Sequence, residues 1–342
     1  MMKRFASLLI LVVCSGMLVA QSVAAGESLR LVGSGASFPF PIYSAWFKSF
    51  SSASSVSVDY QSKGSGAGIQ DFINKTVDFA ASDAAMTDEE IAKVPGGVQL
   101  LPMTAGEIVL TYNLPGDPKL KLSREAYAGI FLGNITKWND PKLKAANPGV
   151  NLPDQDITVV RRADASGTTF VFTQHLSAIS SEWKGAHGFG TTVTWPNSDK
   201  FVAAPRNDGV SGTIKRTPGA IGYVEYAFAI GAKLPMAELQ NKAGQFVAAS
   251  GASGAEALAN VKLPADMRAW APDPDGAKSY PIVSYTWMLF YKKGPDPKKA
   301  AALREMVAYC LTEGQKISDK MGYIPLPKNV VEAVQKATAN IQ

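Results

Sequence analysis

One local pattern occurs three times in this chain and constrains its fold more than any other feature. An apolar, strand-like stretch runs into a turn of glycine and hydroxyl residues, and a helical spacing of apolar residues follows. The three turns are Gly33-Ser34-Gly35-Ala36-Ser37-Phe38, Gly64-Ser65-Gly66-Ala67-Gly68 and Asp164-Ala165-Ser166-Gly167-Thr168-Thr169. Such strand–turn–helix units predict an α/β fold in which helices bury one face on a sheet.

The spacing of apolar residues separates the strands from the helices. Apolar residues alternate in residues 56–60 and 157–159, which predicts strands. They recur every three or four positions in residues 42–50, 69–76 and 303–310, which predicts helices. We expect a late strand, residues 282–291, to return to the first part of the sheet and to precede a single long helix. Residues 244–254 and 271–277 are rich in small residues and predict surface loops.

The three turns share a chemistry as well as a shape. The first turn of a helix carries N–H groups without intrahelical acceptors and a partial positive charge, so it receives an anion without a formal cation. The hydroxyls of Ser37, Ser65, Ser166 and Thr168 add donors to the same oxygens. Taken singly, each unit is better explained by a Ser or Thr that caps its own helix. Three units in one chain favour an anion site.

Two arginines, Arg161 and Arg162, stand just before the third turn. A guanidinium beside a Ser-Gly-Thr helix start presents a fork of donors that pairs with two oxygens of an oxyanion. Adjacent residues of a strand face opposite ways, so one of the two is expected to reach the site. The alternative is a surface strand whose basic ends are both exposed.

Asp83 lies within residues 77–86, at the end of the apolar stretch there. Almost nothing near it in the sequence neutralises its charge. A solvated turn aspartate is the ordinary explanation. In an anion site, however, a carboxylate accepts a hydrogen bond from a protonated oxyanion and repels one that lacks a proton. Phosphate carries a proton near neutral pH and sulfate does not, so Asp83 favours phosphate over sulfate.

The first 25 residues have the pattern of a secretory signal peptide. Lys3 and Arg4 precede an interrupted apolar run, and small residues end at Ala25, where we expect cleavage. Cys14 offers the alternative of a lipid anchor, which the large residue before it disfavours. Export without a disulfide framework predicts the bacterial periplasm as the compartment.

Composition argues against several classes of function. The chain has 34 basic and 29 acidic residues, and its net charge of +5 falls when Lys3 and Arg4 are removed. Because the excess is small and the basic residues are scattered, we expect no nucleic-acid partner. Cys310 would be the one cysteine left, so no internal disulfide can form. Its helical spacing favours a buried thiol over a reactive one.

Signatures of catalysis and of metal binding are weak or missing. The sequence has no G-x-x-x-x-G-K-[ST] and no G-x-S-x-G motif, and the glycine pattern at Gly64 has no evident acidic partner. His175 and His187 are the only histidines, and neither has a His or Cys at ligand spacing. We expect no enzyme, no cofactor and no metal. His175 is predicted on a helix near the core and His187 in a loop.

Six blocks of sequence, in order, resemble one known family. They are residues 35–39, 60–61, 77–83, 132–138, 159–168 and 218–224. The family is the periplasmic phosphate-binding protein of the bacterial high-affinity phosphate ABC importer. This resemblance implies a two-lobed periplasmic-binding-protein fold with a cleft between lobes joined by two hinges. It also implies no chemistry and delivery of inorganic phosphate to membrane permease subunits. We expect a monomer.

The resemblance also assigns residues to roles. The family's phosphate ligands fall on Ser37, Phe38, Ser65, Asp83, Arg162, Ser166, Gly167 and Thr168, and Asp164 falls on the partner of the arginine. Ser37 stands where threonine is common, and Ala165 where glycine is common. The alanine at position 165 bears on the affinity for phosphate rather than on the identity of the ligand. Lobe one is expected to comprise residues 26–107 and 283–342, and lobe two residues 108–282, with hinges near Gly106 and Val283.

Other functions stay open at this point. A receptor for sulfate or molybdate would use the same fold, and Asp83 is the feature that separates it from a phosphate receptor. A phosphate-ester hydrolase would need a nucleophile with a base, or a metal cluster. A surface adhesin or scaffold would use the fold without any ligand.

Overall fold

The structure is a computed structural model that describes residues 29–342. The predicted signal peptide, its cleavage site and Cys14 lie outside the described residues. The strands are β1 (Leu29–Gly35), β2 (Val56–Ser62), β3 (Phe79–Ser82), β4 (Val98–Tyr112), β5 (Lys121–Leu122), β6 (Thr158–Arg162), β7 (Phe201–Ala204), β8 (Ala220–Glu225), β9 (Glu238–Gln240), β10 (Phe246–Val247) and β11 (Val283–Tyr291).

The helices alternate with these strands, so the predicted α/β class is confirmed. They are α1 (Phe40–Ala53), α2 (Ser65–Ile73), α3 (Asp88–Ala92), α4 (Arg124–Phe131), α5 (Pro141–Ala146), α6 (Gly167–Ile179), α7 (Ser181–Ala186), α8 (Arg206–Arg216), α9 (Tyr226–Ala232), α10 (Gly251–Leu258), α11 (Pro297–Tyr309) and α12 (Lys328–Thr338). A π-helical turn, Cys310–Gly314, and two 3₁₀ turns, Gln315–Ile317 and Asp319–Met321, join the last two helices.

Eight of the strands form one sheet with the order β2-β1-β3-β11-β4-β8-β6-β7. At one end β1 is parallel to β2 and β3, and at the other β6 is parallel to β7 and β8. The central strands β11 and β4 are antiparallel to their neighbours. The sheet therefore consists of two parallel ends joined through an antiparallel centre, and the predicted return of β11 to the sheet is confirmed.

Strand β4 connects the two ends because it changes partner along its length. Its residues up to Glu107 pair with β11, and those from Ile108 onward pair with β8. We call β1, β2, β3, β11 and the early half of β4 the first part, and β8, β6, β7 and the later half of β4 the second part. Val283 pairs with Glu107 here, so the segments predicted as hinges lie side by side. That the two parts are lobes that move about this point stays a prediction.

Helix α1 shows how apolar spacing positions the chain. It buries Ile42, Tyr43, Trp46, Phe47 and Phe50 on one face, as the sequence predicts. The ring of Tyr60 on β2 lies 5.7 Å from that of Tyr43, and its hydroxyl donates to the carbonyl of Ala36 at 2.8 Å. Core packing thus holds the turn that carries Ser37.

Two local expectations were wrong in their boundaries. Gly33, Ser34 and Gly35 belong to β1 rather than to the turn, because they continue the parallel pairing with β2 as far as Ser62. Residues 244–254 are not one loop, since they contain β10 and the start of α10. There the hydroxyl of Ser250 caps the helix by accepting a hydrogen bond from the backbone N–H of Ser253 at 3.1 Å.

The single long helix expected after β11 was also wrong. Helix α11 ends at Tyr309, and the π-helical turn follows it. At the end of that turn Gly314 packs against Trp46, whose indole N–H donates to the Gly314 carbonyl at 2.8 Å. A Cβ at Gly314 would lie 2.9 Å from that indole ring. Pro327 then precedes α12 as its N-cap. Cys310 is buried, as predicted, and its burial raises the pKa of the thiol.

Two buried carboxyl groups flank the crossing point of β4. Glu107 accepts a hydrogen bond from the Ser253 hydroxyl at 2.9 Å, and its burial raises its pKa to about 8. Glu225 accepts from the backbone N–H of Ala227 at 3.0 Å, and its burial raises its pKa well above the ordinary value. Each is therefore held in its protonated form near neutral pH.

We predict that Glu107 makes the folded protein less stable as pH rises. Its pKa is raised in the folded state, so the folded protein binds more protons than the unfolded chain between about pH 4.5 and about 8. Over that interval the free energy of unfolding falls with pH. Glu107→Gln removes the titration and keeps an acceptor for Ser253. Urea denaturation should show the variant losing about 1–3 kcal/mol less than wild type between these pH values.

Glu305→Gln is the matched control, because it makes the same chemical change at an exposed position. It should follow the wild-type pH dependence. If all three proteins lose the same stability over this interval, Glu107 is not protonated in the folded state.

Candidate functional site

Arg162, the last residue of β6, is the cationic centre of the site. Its side chain is buried, and its guanidinium makes a bidentate ion pair with Asp164, in which Nε donates to Oδ1 at 2.8 Å. Its Nη1 also donates to the Thr168 hydroxyl at 3.3 Å. The half-buried Arg161 directs its Nη1 to the Arg162 carbonyl at 3.1 Å instead. Strand alternation therefore separates the two arginines in the way expected.

Asp164 is held ionised by this pairing. Burial opposes its charge, but hydrogen bonds and the charge of Arg162, with a hydrogen bond from the Arg206 N–H, outweigh burial and lower its pKa. The Arg206 bond is 2.9 Å long. The carboxylate thus offsets the charge of Arg162 and fixes the orientation of its planar fork.

Asp83 lies directly after β3, in the first part of the sheet, and is 1% exposed. The hydroxyl of Thr286 on β11 donates to its Oδ1 at 2.8 Å. Burial raises its pKa to about 7, although Thr286, Arg162 and Thr168 act in the opposite direction. Asp83 is therefore not the solvated turn residue of the ordinary explanation. It gains or loses a proton close to neutral pH.

The four predicted hydroxyls share one hydrogen-bonding role. Each oxygen accepts a bond from an N–H group: Ser37 from Asn207 (3.2 Å), Ser65 from Asp83 (3.3 Å), Ser166 from Thr169 (3.1 Å) and Thr168 from Arg162 (3.3 Å). Among the hydrogen bonds of residues 29–342, none of the three serine hydroxyls donates. An oxygen that accepts from the protein keeps its own proton for a ligand.

The cap explanation holds for one of the three turns. Ser166 is the N-cap of α6, whereas α1 and α2 are preceded by Pro39 and Gly64, and neither has a side-chain cap. Ser37 and Ser65 are therefore not engaged as helix caps. Gly167 and Thr168, as the first residues of α6, carry N–H groups that no carbonyl of their helix accepts.

Phe38 presents backbone groups rather than its ring at the candidate site. Its ring is buried, and its carbonyl accepts from the Tyr323 hydroxyl at 2.8 Å. In residues 29–342 its N–H donates to no backbone carbonyl, whereas the Phe40 N–H donates to the Ser37 carbonyl at 3.1 Å. This leaves the Phe38 N–H as a donor beside Ser37.

Glycines bring the two parts of the sheet into contact around these groups. A Cβ at Gly167 would lie 2.4 Å from Ser65 Oγ and 2.6 Å from the Cβ of Asp83. A Cβ at Gly66 would lie 2.4 Å from that of Ala165, whose carbonyl accepts from the Gly66 N–H at 3.0 Å. Any side chain at Gly66 or Gly167 would push the parts away from each other.

Sequence reasoning missed two residues of the site. Asn207 on α8 contacts Ser37 and Thr168, and Thr286 on β11 contacts Asp83. Thr286 had a weak signal, because it is a polar residue within an apolar strand. Asn207 had none, since it lies 170 residues from Ser37 in the chain.

Groups that would indicate other chemistry lie elsewhere. His175 on α6 is buried near the core, as predicted, where its Nε2 bonds to the Tyr127 hydroxyl at 2.8 Å and its Nδ1 to the Pro272 carbonyl at 2.7 Å. His187 lies at the end of α7. In residues 29–342, no group of three or more His, Cys, Asp or Glu side chains is placed to hold a metal ion. Nor does that range contain a helix long and apolar enough to cross a membrane.

Comparison with known proteins defines the class first. The model of the PBP superfamily domain matches residues 22–313. A high-affinity periplasmic phosphate-binding protein solved with bound phosphate superposes with a TM-score of 0.77 at 21% identity, over 90% of this chain and 93% of that one. A phosphate-binding protein from Stenotrophomonas maltophilia gives a TM-score of 0.69 at 20% identity, with the same coverages. The fold is that of periplasmic binding proteins.

Sequence similarity narrows the class. The phosphate-binding protein PstS of Pasteurella multocida is 40% identical over 315 residues, which are 90% of each chain. PstS of Haemophilus influenzae is 39% identical over 313 residues, covering 90% of this chain and 92% of the relative. The chain belongs to the PstS family of phosphate-binding proteins within the PBP superfamily.

Proposed function

We propose that this protein captures inorganic phosphate in the site around Arg162 and delivers it to the permease of an ABC importer. The observation that carries the proposal is the meeting, in one buried place, of Arg162, Asp83 and four hydroxyls that can donate. The names of its relatives support the same ligand. The proposed ligands are Ser37, Phe38, Ser65, Asp83, Arg162, Ser166, Gly167 and Thr168, with Asp164 in support.

The guanidinium has donors to spare for an anion. It carries five N–H groups, and bonds to Asp164 and Thr168 occupy three of them among the described residues. One N–H on each terminal nitrogen is left, which is the arrangement that pairs with two oxygens of an oxyanion. The N–H groups of Phe38, Gly167 and Thr168 and the serine hydroxyls would bind the other oxygens.

Asp83 would select the ligand by its proton. With a pKa of about 7 it shares a proton readily with a phosphate hydroxyl, so one hydrogen bond forms between the two groups. Above about pH 7 the Asp83 carboxyl is mainly ionised, and sulfate, which brings no proton, would set an oxygen directly against that charge. This contact is the reason to prefer phosphate over sulfate or molybdate.

Ligands come from both parts of the sheet, which would favour a closed form. Ser37, Ser65 and Asp83 belong to the first part, whereas Arg162 and residues 166–168 belong to the second. Phosphate would make all of these contacts in the closed form alone, so it would stabilise that form. We propose residues 26–107 with 283–342 and residues 108–282 as the two lobes.

The proposed role is transport without chemistry. The protein would act as a monomer in the periplasm after cleavage near Ala25 and would pass phosphate to membrane permease subunits. His175 supports this role over a hydrolase, because both ring nitrogens are already bonded away from the site. An assay for phosphate-ester hydrolysis should therefore give no turnover.

We predict that Arg162 and Arg161 contribute unequally to affinity. Removing one partner of a charge-assisted pair costs on the order of 2–5 kcal/mol when the other stays buried. Arg162→Ala should weaken phosphate binding at least about tenfold in titration calorimetry. Arg161→Ala, the matched control, should change it less than about twofold, since that side chain turns away.

Arg162→Lys keeps the charge and loses the fork, so its affinity should fall between wild type and Arg162→Ala. Thermal unfolding followed by circular dichroism verifies that each variant is folded. Equal losses from Arg161→Ala and Arg162→Ala would place the phosphate somewhere other than the Arg162 site.

We predict that Asp83 sets the ratio of the phosphate and sulfate dissociation constants. Two like charges in contact in a partly desolvated site cost several kcal/mol, enough for about a thousandfold preference for phosphate. Asp83→Asn removes the repulsion and supplies an amide donor, so the ratio should narrow at least about tenfold. Titrations with both anions at pH 8 and one ionic strength measure this ratio, because Asp83 is then mainly ionised while phosphate still carries a proton.

Asp154→Asn makes the same change at an exposed position and should leave the ratio unaltered. If wild type binds sulfate as well as phosphate, or if Asp83→Asn preserves the ratio, Asp83 does not select the ligand.

A further inference from the structure

We propose that Asn207 is a positioning residue that holds Ser37 and Thr168 ready to donate and links the two lobes in the closed form. We call Asn207 with Ser37, Thr168 and Glu225 the Asn207 bridge. This inference rests on the proposed capture of phosphate, because its purpose is to orient two of the proposed ligands.

The helix that carries Asn207 is a fourth helix start at the site. Asn207 is the second residue of α8 and is fully buried. The preceding Arg206 has a φ of +56°, a left-handed conformation that is uncommon and costly for a residue with a side chain. In this conformation two successive backbone N–H groups point into the site. The Arg206 N–H donates to Asp164 at 2.9 Å, and the Asn207 N–H donates to Ser37 Oγ at 3.2 Å.

Every polar atom of the Asn207 side chain has a partner. Its Nδ2 donates to Ser37 Oγ at 3.0 Å and to Thr168 Oγ1 at 3.2 Å, and its Oδ1 accepts from the Glu225 N–H at 3.0 Å. An amide turned the other way would place its NH₂ against the Glu225 N–H, which is a donor and cannot accept. The bridge therefore fixes the orientation of the amide.

The bridge determines where the two hydroxyl protons point. Ser37 Oγ receives two N–H groups from Asn207, and Thr168 Oγ1 receives one from Asn207 and one from Arg162. With both lone-pair directions occupied, each hydroxyl can rotate its proton only away from these donors. In the closed form the two donors are thus held in one orientation, which lowers the entropic cost of their contacts with phosphate.

The bridge also spans the two parts of the sheet. Ser37 follows β1 in the first part, whereas α8 packs on β6 and β8 in the second. At its far end Glu225 pairs with Ile108, the residue at which β4 changes partner. One side chain therefore connects a proposed ligand of the first part, a proposed ligand of the second part and the end of β8 beside the crossing strand β4. Opening would break its bonds to Ser37 and preserve those to Thr168 and Glu225.

The test is a double-mutant cycle on phosphate affinity. Asn207→Ala should weaken binding at least about tenfold, chiefly through faster dissociation in stopped-flow measurements, because the bridge exists in the closed form. In a Ser37→Ala background, Asn207→Ala should weaken phosphate binding less than about threefold, since the main partner of Asn207 is already gone. Ser211→Ala, a buried hydroxyl on the same helix that bonds to the Asp208 carbonyl, should alter affinity less than about twofold.

Asn207→Asp provides a second test that does not depend on a shortened side chain. Its carboxyl matches the amide in shape and keeps an acceptor for Glu225, but it donates to Ser37 or Thr168 only when protonated. Asp83, Glu225, Arg162 and Asp164 are the titratable or charged groups around it, and wild type shares them. Protonation of the new carboxyl restores the donor as the pH is lowered from 8 to 5. The variant-to-wild-type ratio of phosphate dissociation constants should therefore fall at least about fivefold over this interval.

The outcomes separate this inference from the proposed function. Wild type that does not bind phosphate overturns both. If wild type binds phosphate but Asn207→Ala and Ser37→Ala weaken the affinity additively, the positioning role alone is overturned. The same holds if the dissociation-constant ratio of Asn207→Asp to wild type does not change with pH.

Discussion

A buried guanidinium governs the arrangement of this site. The side chain of Arg162 is 1% exposed, and an isolated charge at that depth would be strongly unfavourable. Asp164 offsets it with a bidentate pair, and the Arg206 N–H in turn binds Asp164. The close approach of Gly64, whose Cβ would lie 2.3 Å from Asp164 Oδ2, encloses the pair. The left-handed Arg206 at the start of α8 and the glycine turn at Gly64 thus both contact this one ion pair.

The same pairing explains why neutral donors dominate the site. Arg162 and Asp164 cancel in formal charge, and an ionised Asp83 would oppose any anion that lacks a proton. In the proposed function, helix starts and hydroxyls would therefore supply most of the attraction for phosphate, through dipoles of fixed orientation. A site with so little net positive charge would favour a small protonated anion over an anion that binds chiefly through opposite charges.

Protonation connects the site to the centre of the sheet. Asp83, Glu107 and Glu225 are all buried, and burial raises the pKa of each. Glu225 lies on β8 where β4 changes partner, and its backbone N–H binds Asn207. The crossing of the two parts is thus a dry region in which Glu107 and Glu225 keep their protons near neutral pH, next to the site where Asp83 is proposed to read the proton of the ligand.

The sequence alone determined the α/β class, the three hydroxyl-bearing turns and the separation of Arg162 from Arg161. These features depend on residues a few positions apart, since helix starts and strand alternation are local. The ligand assignments for Phe38 and Gly167 came from family resemblance, and the binding role of all eight proposed ligands stays a prediction. The break after α11 escaped prediction because it depends on Trp46 packing against Gly314, far apart in the chain. Asn207 and Thr286 escaped for the same reason, as they lie 170 and 203 residues from Ser37 and Asp83. Only the tertiary structure decided these contacts, because hydrogen bonds between distant segments form where packing of the sheet brings the segments together.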